Sequence, residues 1–332
     1  MFAAEPLINH ASNLNGIHLS FSPQADTLEK QRGIVMGLSI IRRFAVLVVL
    51  LSLGAWLQAD PVWEVSKDGK RIRLGATVHF LRPADLPPPV AMQQAYEQAQ
   101  QVYLESNLAD SATPAFSRRL TQMMMQPAGR TLKEDLSDPV WRQLQDYAAQ
   151  ANFPLVTYQG FKPAMVSMAM TVHELGRQGF GRGVDEFYFT RANQQGKTLG
   201  FLESSDTLLS FMAQLNEESS DALIESSLEG IEHMDGMMEE AVNTWRKGDM
   251  DGLYALLGAD EMQTEYPGIY RNLIIERNRQ WYPKIQQAMV EGTPNLVLVG
   301  ALHLGGPDSL RVMFEEAGYQ VRQLQPGIAL PR

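Results

Sequence analysis

The sequence predicts an α/β fold in which a mixed or parallel central sheet is flanked by helices, with a long helical segment in the middle of the chain. Residues 295–300 form an unbroken apolar run, which is typical of a strand buried on both faces of a parallel sheet. Shorter β-like runs occur in the first and last thirds of residues 60–332, and helix-like segments separate them. This alternation of strands and helices indicates an α/β arrangement.

The first third opens with a predicted β-hairpin. Its two strands are Val62–Val65 and a run that starts at Arg71 and ends at His79. Between them, Asp68-Gly69 supplies the positive φ angles that tight hairpin turns require. The next predicted elements are a proline-rich loop, a helix and a short buried strand, over residues 83–89, 90–101 and 102–105.

The remainder of the chain is predicted to be mostly helical, with three further strands. Asp138-Pro139 and Lys162-Pro163 mark helix starts, because proline in the first helical turn loses no hydrogen bond. Helices are expected over residues 115–150, 163–177, 206–246, 249–261, 270–289 and 307–318. Strands are expected over residues 197–203, 295–300 and 319–324.

The composition is that of a globular protein, since 45% of the 332 residues are hydrophobic and 20% are charged. The formal net charge is −10. Surfaces that bind nucleic acid are rich in lysine and arginine, so we expect no nucleic-acid partner. The chain contains no cysteine, which excludes disulfides, thiol nucleophiles and cysteine-ligated metals. Any metal must therefore be held by histidine, aspartate or glutamate.

The first 59 residues are expected to lie outside the folded domain. Residues 1–35 are polar without sustained periodicity, and we interpret them as a non-native or disordered extension before a start at Met36. The alternative is a genuine cytoplasmic tail. Arg42 and Arg43 precede an apolar run of 14 residues, 44–57, and this pattern is typical of a signal peptide over residues 36–59. A spanning helix needs about 20 residues, so a short membrane anchor is the alternative.

These features predict that residues 60–332 form a single α/β domain that is exported, either periplasmic or secreted. Without cleavage, residues 44–57 would anchor the protein in the inner membrane, where it could act as a partner in an envelope assembly. Contact with a membrane is expected only through this segment.

Three polar residues follow predicted strands and form a candidate site. Ligands of open α/β sheets lie beyond the carboxyl ends of the strands, and His79, Glu105 and His303 stand at such ends. Glycines at 300, 305 and 306 allow the backbone to approach closely there. Two histidines and a carboxylate at one edge are a plausible set of ligands for a divalent metal, which could activate water as a nucleophile.

Short segments spread over roughly residues 61–325 also resemble, in order and spacing, the motifs of one protein family. They are Val62–Val65, Leu74–His79, Val102–Glu105, Gly183–Asp185, Gly200–Glu203, Glu276–Asn278 and Val299–His303. Together they resemble the TraB/PrgY/GumN family and, through two Gly-x-x-His motifs and a glutamate, the Tiki metalloproteases. The resemblance implies a fold related to the erythromycin esterase and ChaN-like group, and a metal-dependent hydrolase that acts on peptides or another small substrate.

The resemblance also implies roles for individual residues. His79 and His303 would bind the metal (Mn, Co or Zn) as neutral imidazoles, and Glu105 would be a further ligand or the general base. Arg277 would stabilise an oxyanion or bind a substrate carboxylate. The alternative for Arg277 is a buried salt bridge to Asp185 or Glu203. The residues expected to support the site are Asp185, Glu203, Asn278, Gly75 and Gly300.

The first Gly-x-x-His motif departs from the family pattern. Ala76 stands three residues before His79, and the glycine lies one position earlier, at Gly75. The second motif, Gly300–His303, is intact. The departure favours an alternative function, in which a non-catalytic protein binds or sequesters a peptide or a haem-like ligand.

Overall fold

A computed structural model describes residues 59–325 of the chain. The predicted extension over residues 1–35 and the predicted signal or anchor over residues 36–59 lie outside the described residues, except for Ala59. Among the residues that are described, no helix is long and apolar enough to cross a membrane.

A six-stranded mixed sheet forms the centre of the fold, which confirms the predicted fold class. Its strands in chain order are β1 (Val62–Lys67), β2 (Lys70–Thr77), β3 (Gln101–Leu104), β4 (Thr198–Phe201), β5 (Asn295–Gly300) and β6 (Gln320–Gln323). The spatial order is β4-β3-β5-β2-β1-β6. The first four strands of this order are parallel, whereas β1 runs antiparallel to both β2 and β6.

The predicted hairpin joins β1 to β2, with φ angles of 51° at Asp68 and 79° at Gly69. Strand β5 lies between β2 and β3, and its apolar side chains are buried as predicted. In the register of these parallel strands, Thr77 is paired with Gly300, and Leu104 with Leu298. The carboxyl ends of β2, β3 and β5 therefore meet at one edge of the sheet.

The helices cover the sheet and form most of the segment between β3 and β5. In chain order they are α1 (Val90–Gln98), α2 (Leu108–Ser111), α3 (Pro114–Met124), α4 (Asp138–Ala151), α5 (Leu155–Tyr158), α6 (Pro163–Arg177), α7 (Val184–Gln195), α8 (Asp206–Leu215), α9 (Ser220–Arg246), α10 (Met250–Leu256), α11 (Ala259–Glu265), α12 (Pro267–Tyr270), α13 (Glu276–Gln287) and α14 (Leu310–Glu316). A π-helical turn, Arg271–Ile275, precedes α13, and a 3₁₀ turn, Ala301–His303, follows β5.

Helix α9 contributes to two hydrophobic clusters. Its C-terminal half places Val242 and Trp245 in the main cluster around the sheet. Its N-terminal half places Ile224 in a second cluster with helices α4 and α6, which supply Leu144 and Val166. Because α9 joins both clusters, it connects the helical middle of the chain to the sheet that carries the site.

Several predicted boundaries were wrong by a few residues. Strand β2 ends at Thr77 rather than at His79, so His79 lies in the loop that follows the strand. The predicted helix over residues 115–150 is two helices separated by a loop and a 3₁₀ turn. Helix α14 starts at Leu310 rather than at Pro307, because the Ser309 hydroxyl caps it by accepting from the Val312 amide.

Candidate functional site

The three predicted strand-end residues meet around Gly300. A Cβ atom added to Gly300 would lie 3.2 Å from Glu105 Oε1, 3.7 Å from His303 Cδ2 and 3.9 Å from His79 Nε2. Glu105 Oε1 accepts a hydrogen bond of 2.6 Å from the Gly300 amide and lies 4.0 Å from His303 Nε2. The register of β2, β3 and β5 thus brings these side chains together, and glycine at position 300 gives them room.

His303 lies on the 3₁₀ turn after β5 and is only 3% exposed. Its Nδ1 is 2.7 Å from Asn278 Oδ1, while Asn278 Nδ2 donates to the Asp308 carbonyl at 2.8 Å. This second bond fixes which end of the amide faces His303, so Nδ1 carries the proton and Nε2 carries the lone pair. Burial lowers the pKa of His303 to about 3, and the ring is neutral at physiological pH.

His79 is more exposed and is oriented by a different element. Helix α7 begins at Val184, whose amide donates to the Val78 carbonyl at 2.9 Å. This contact brings Asp185 next to His79, with Asp185 Oδ2 at 3.3 Å from His79 Nδ1. Hydrogen bonding to Asp185 raises the pKa of His79 to about 9. Asp185 therefore holds the Nδ1 side of the ring and leaves Nε2 on the side of Gly300.

The tight junction between α7 and the β2 exit depends on Gly183. A Cβ atom at this position would overlap the backbone carbonyls of Val78 and His79. We expect Gly183→Ala to lower the free energy of unfolding by about 1–3 kcal/mol, measured by urea denaturation, and to separate His79 from Asp185. Gly181→Ala is the matched control, since among the described residues no atom lies within 4 Å of its added Cβ. Equal stability of the two variants would contradict this account.

Glu105 is held as a carboxylate from both sides. Oε1 accepts from the Gly300 amide, and Oε2 accepts from Arg277 Nη2 at 2.6 Å. Burial by itself would raise the pKa of Glu105, but the positive charge of Arg277 and the neighbouring imidazoles lower it to about 2. Glu105 is therefore ionised throughout the physiological pH range.

Arg277 uses all five of its N–H donors within the protein. Nε and Nη2 donate to Glu203 at 3.0 and 2.8 Å, and Nη2 also donates to Glu105. Nη1 donates to the Leu273 carbonyl at 3.4 Å and to His303 Nε2 at 3.1 Å. Of the roles expected for Arg277, this geometry favours the buried salt bridge to Glu203. Asp185, the other expected partner, contacts His79 instead.

Trp281 also belongs to the site, although no motif in the sequence indicated it. Its indole Nε1 donates to Glu203 Oε2 at 3.0 Å. The ring lies 4.5 Å from the Arg277 guanidinium and 4.4 Å from the His303 ring. Burial raises the pKa of Glu203, although Arg277 acts in the opposite direction. Residues four apart share one helix face, so the spacing of Arg277 and Trp281 could have indicated that Trp281 lies beside Arg277.

An apolar cavity of about 400 Å³ opens above these polar groups. Helices α8, α9 and α10 and the π-helical turn supply its walls, including Phe211, Met238, Val242, Leu253, Leu257 and Ile274. The polar side chains at its floor include His79, Glu105, Arg277 and His303. The wall residues come from four segments between Phe211 and Ile274 and show no common motif, so the sequence offered no signal for them.

Ala76, the residue that departs from the first Gly-x-x-His motif, does not line this cavity. Ala76 is fully buried in the main hydrophobic cluster, and its carbonyl accepts from Trp245 Nε1 at 2.8 Å. Gly75 is also remote, because its added Cβ would meet side-chain atoms of Leu298 and Met92. Gly75, one of the predicted supporting residues, therefore contributes to packing between β5 and helix α1 and does not contact the site.

The family model for the TraB/PrgY/gumN family matches residues 61–323, which is most of the chain. The chain belongs to this family. A search of curated proteins found no match, and a search of solved structures also found none. The match includes every residue named above as part of the site.

In this member of the TraB/PrgY/gumN family, the two histidines at the sheet edge are oriented in the way that metal-ligating imidazoles usually are. Each histidine has Nδ1 held by an acceptor, Asn278 or Asp185, which is the usual support for a metal-ligating imidazole. Within residues 59–325, however, no three His, Asp or Glu side chains are already arranged as ligands of one ion. Arg277 accounts for part of this, because its Nη1 and Nη2 donate to His303 and Glu105.

Proposed function

We propose that this protein is an exported metal-dependent hydrolase that acts on peptides. The observation that carries the proposal is the pair of supported histidines, which converge with Glu105 on Gly300 at the end of three parallel strands. The two Gly-x-x-His-like segments and the glutamate resemble motifs of the Tiki metalloproteases, and this resemblance supports the peptidase part of the proposal. The basic pair Arg42-Arg43 and the apolar run after it support export.

His79, His303 and Glu105 would hold the cation, which we take to be Mn, Co or Zn. The pKa of about 9 leaves His79 protonated at neutral pH rather than neutral as expected, so it would release its Nε2 proton when a metal binds. When bound there, a divalent metal supplies a water of lowered pKa and polarises a substrate carbonyl. Burial keeps His303 neutral, and Asn278 holds its proton on Nδ1, so a metal would bind Nε2 by displacing Arg277 Nη1. Glu105, ionised and close to both histidines, would act as a ligand or as the base that takes a proton from water.

Arg277 acts in this proposal as a positioning residue. With every donor engaged inside the protein, it holds Glu105 and Glu203 in place rather than presenting hydrogen bonds to a substrate. Trp281 packs against the Arg277 guanidinium and donates a hydrogen bond to Glu203. These contacts fix the carboxylate of Glu105 where the strand ends meet.

Metal analysis of the purified protein tests the proposal. After incubation with Zn, Mn or Co and removal of free metal, we expect about one ion per chain by elemental mass spectrometry. The His79→Ala/His303→Ala double variant should lose this metal. His233→Ala is the control, since His233 is exposed on α9 and is not among the residues that line the cavity. Absence of bound metal in the unmodified protein with all three ions would refute the proposal.

The second candidate function is a non-catalytic envelope protein that binds a peptide or a haem-like ligand. The observation that favours it is the 3.1 Å hydrogen bond from Arg277 Nη1 to His303 Nε2, since this bond uses the lone pair that a metal needs. A metal-free protein that still binds peptide would support this function.

Mass spectrometry of the N-terminus tests export separately. A terminus at or near Asp60 is expected for a cleaved signal, and an intact N-terminal segment is expected for an anchor.

A further inference from the structure

The cavity above the site has the character of a pocket for an apolar group. Its volume of about 400 Å³ lies within the range of about 300–1,000 Å³ that is typical of ligand pockets. The walls from α8, α9 and α10 present aliphatic, thioether and aromatic side chains. Leu257, on the rim, is 37% exposed. A large apolar side chain of a ligand would bury its surface here, and each Å² removed from water contributes about 25 cal/mol.

The charges at the floor of the cavity are largely neutralised. Arg277 is paired with both Glu105 and Glu203, and its donors are fully engaged. His79 is the other cationic group, and its Nε2 is committed if it binds a metal. The floor therefore presents no arginine donor to the carboxylate at the end of a peptide. A site that captures a terminal carboxylate normally offers such donors in pairs.

We propose that this cavity binds the large, uncharged apolar side chain of an internal residue of a peptide, next to the bond to be cleaved. The part about the cleaved bond rests on the proposed hydrolase function, whereas binding of the apolar side chain does not. The proposal excludes recognition of a free terminal carboxylate as the source of specificity.

A neutral fluorescent probe, N-phenyl-1-naphthylamine, tests occupancy of the cavity in the full-length protein without added metal. We expect a saturable fluorescence enhancement with about one site per chain. The dissociation constant should be at least about tenfold higher for Leu257→Glu, because a charge on the rim opposes apolar binding. Leu208→Glu is the matched control: Leu208 is 41% exposed but is not among the residues that line the cavity. It should stay within about twofold of the unmodified protein. Equal effects of the two variants, or the absence of saturable binding, would overturn the proposal.

Competition with short peptides tests the internal position of the side chain. The capped peptide acetyl-Gly-Gly-Phe-Gly-Gly-amide should displace the probe, and its serine analogue should do so at least about tenfold less well. In the His79→Ala variant, which lacks the imidazolium that could pair with a carboxylate in the absence of a metal, acetyl-Gly-Gly-Phe with a free carboxylate should bind no more tightly than the capped peptide, and tighter binding would overturn the proposal. Probe and peptide binding are measured without metal. Absence of bound metal in the metal analysis would therefore refute the hydrolase function without affecting the test of the apolar cavity.

Discussion

Replacing Arg277 with methionine is expected to lower the free energy of unfolding by about 3–5 kcal/mol, because it leaves two largely buried carboxylates without their shared cation. The side chains of Glu105 and Glu203 are only 18% and 10% exposed. The same change should strengthen divalent-metal binding by at least about tenfold, because it frees His303 Nε2 and leaves Glu105 unneutralised. Urea denaturation in the presence of a chelator gives the first quantity, and isothermal titration with Zn gives the second.

The opposite signs of the two effects make the Arg277 prediction specific. A metal that replaces the missing positive charge should restore stability, by about 2.7 kcal/mol when its free concentration is 100 times the dissociation constant. Arg279→Met is the control on the same helix: Arg279 is 59% exposed and pairs with Glu276 at the surface, so it should cost at most about 1 kcal/mol. A stable Arg277→Met variant with unchanged metal affinity would show that the ion pair does not compete with a metal.

The sequence was informative where one local rule determined the outcome. An unbroken apolar run predicted the central strand β5, and Asp68-Gly69 predicted the hairpin through its positive φ angles. His79, Glu105 and His303 could be brought together without knowing the strand order, because the carboxyl ends of parallel strands share an edge of the sheet. Their spatial proximity follows from the observed register of β2, β3 and β5.

The sequence was uninformative where a residue's role depended on a distant partner. Arg277 could pair with Asp185 or Glu203, and only the tertiary structure shows that Glu203 is its partner while Asp185 orients His79. The placement of Ala76 in the core rather than at the cavity also depends on the face of β2 that meets the helices. The apolar walls of the cavity come from three helices and a π-helical turn, whose mutual packing has no signature in residue spacing.

Asn278 gives the second large prediction, since this fully buried side chain makes one hydrogen bond to His303 at the sheet edge and another to the Asp308 carbonyl. In Asn278→Leu, His303 Nδ1 loses its acceptor and the Asp308 carbonyl loses its donor. We expect the free energy of unfolding to fall by about 1–3 kcal/mol and metal affinity to fall by about 10–100-fold. Nitrogen-15 NMR of the histidine ring should show loss of the tautomer protonated at Nδ1.

Asn278→Asp separates the two hydrogen bonds of Asn278. The carboxylate keeps an acceptor for His303 Nδ1 but cannot donate to Asp308, so the Nδ1-protonated tautomer should persist while stability still decreases. Asn272→Leu controls for the substitution itself, because Asn272 is exposed and bonds only to the Gln214 side chain among its described hydrogen bonds. If the leucine variant at position 278 kept both the tautomer and the metal affinity, orientation of His303 by Asn278 would be refuted. If the aspartate variant lost the tautomer as fully as the leucine variant, the bond to Asp308 rather than the bond to His303 would be the one that organises this edge.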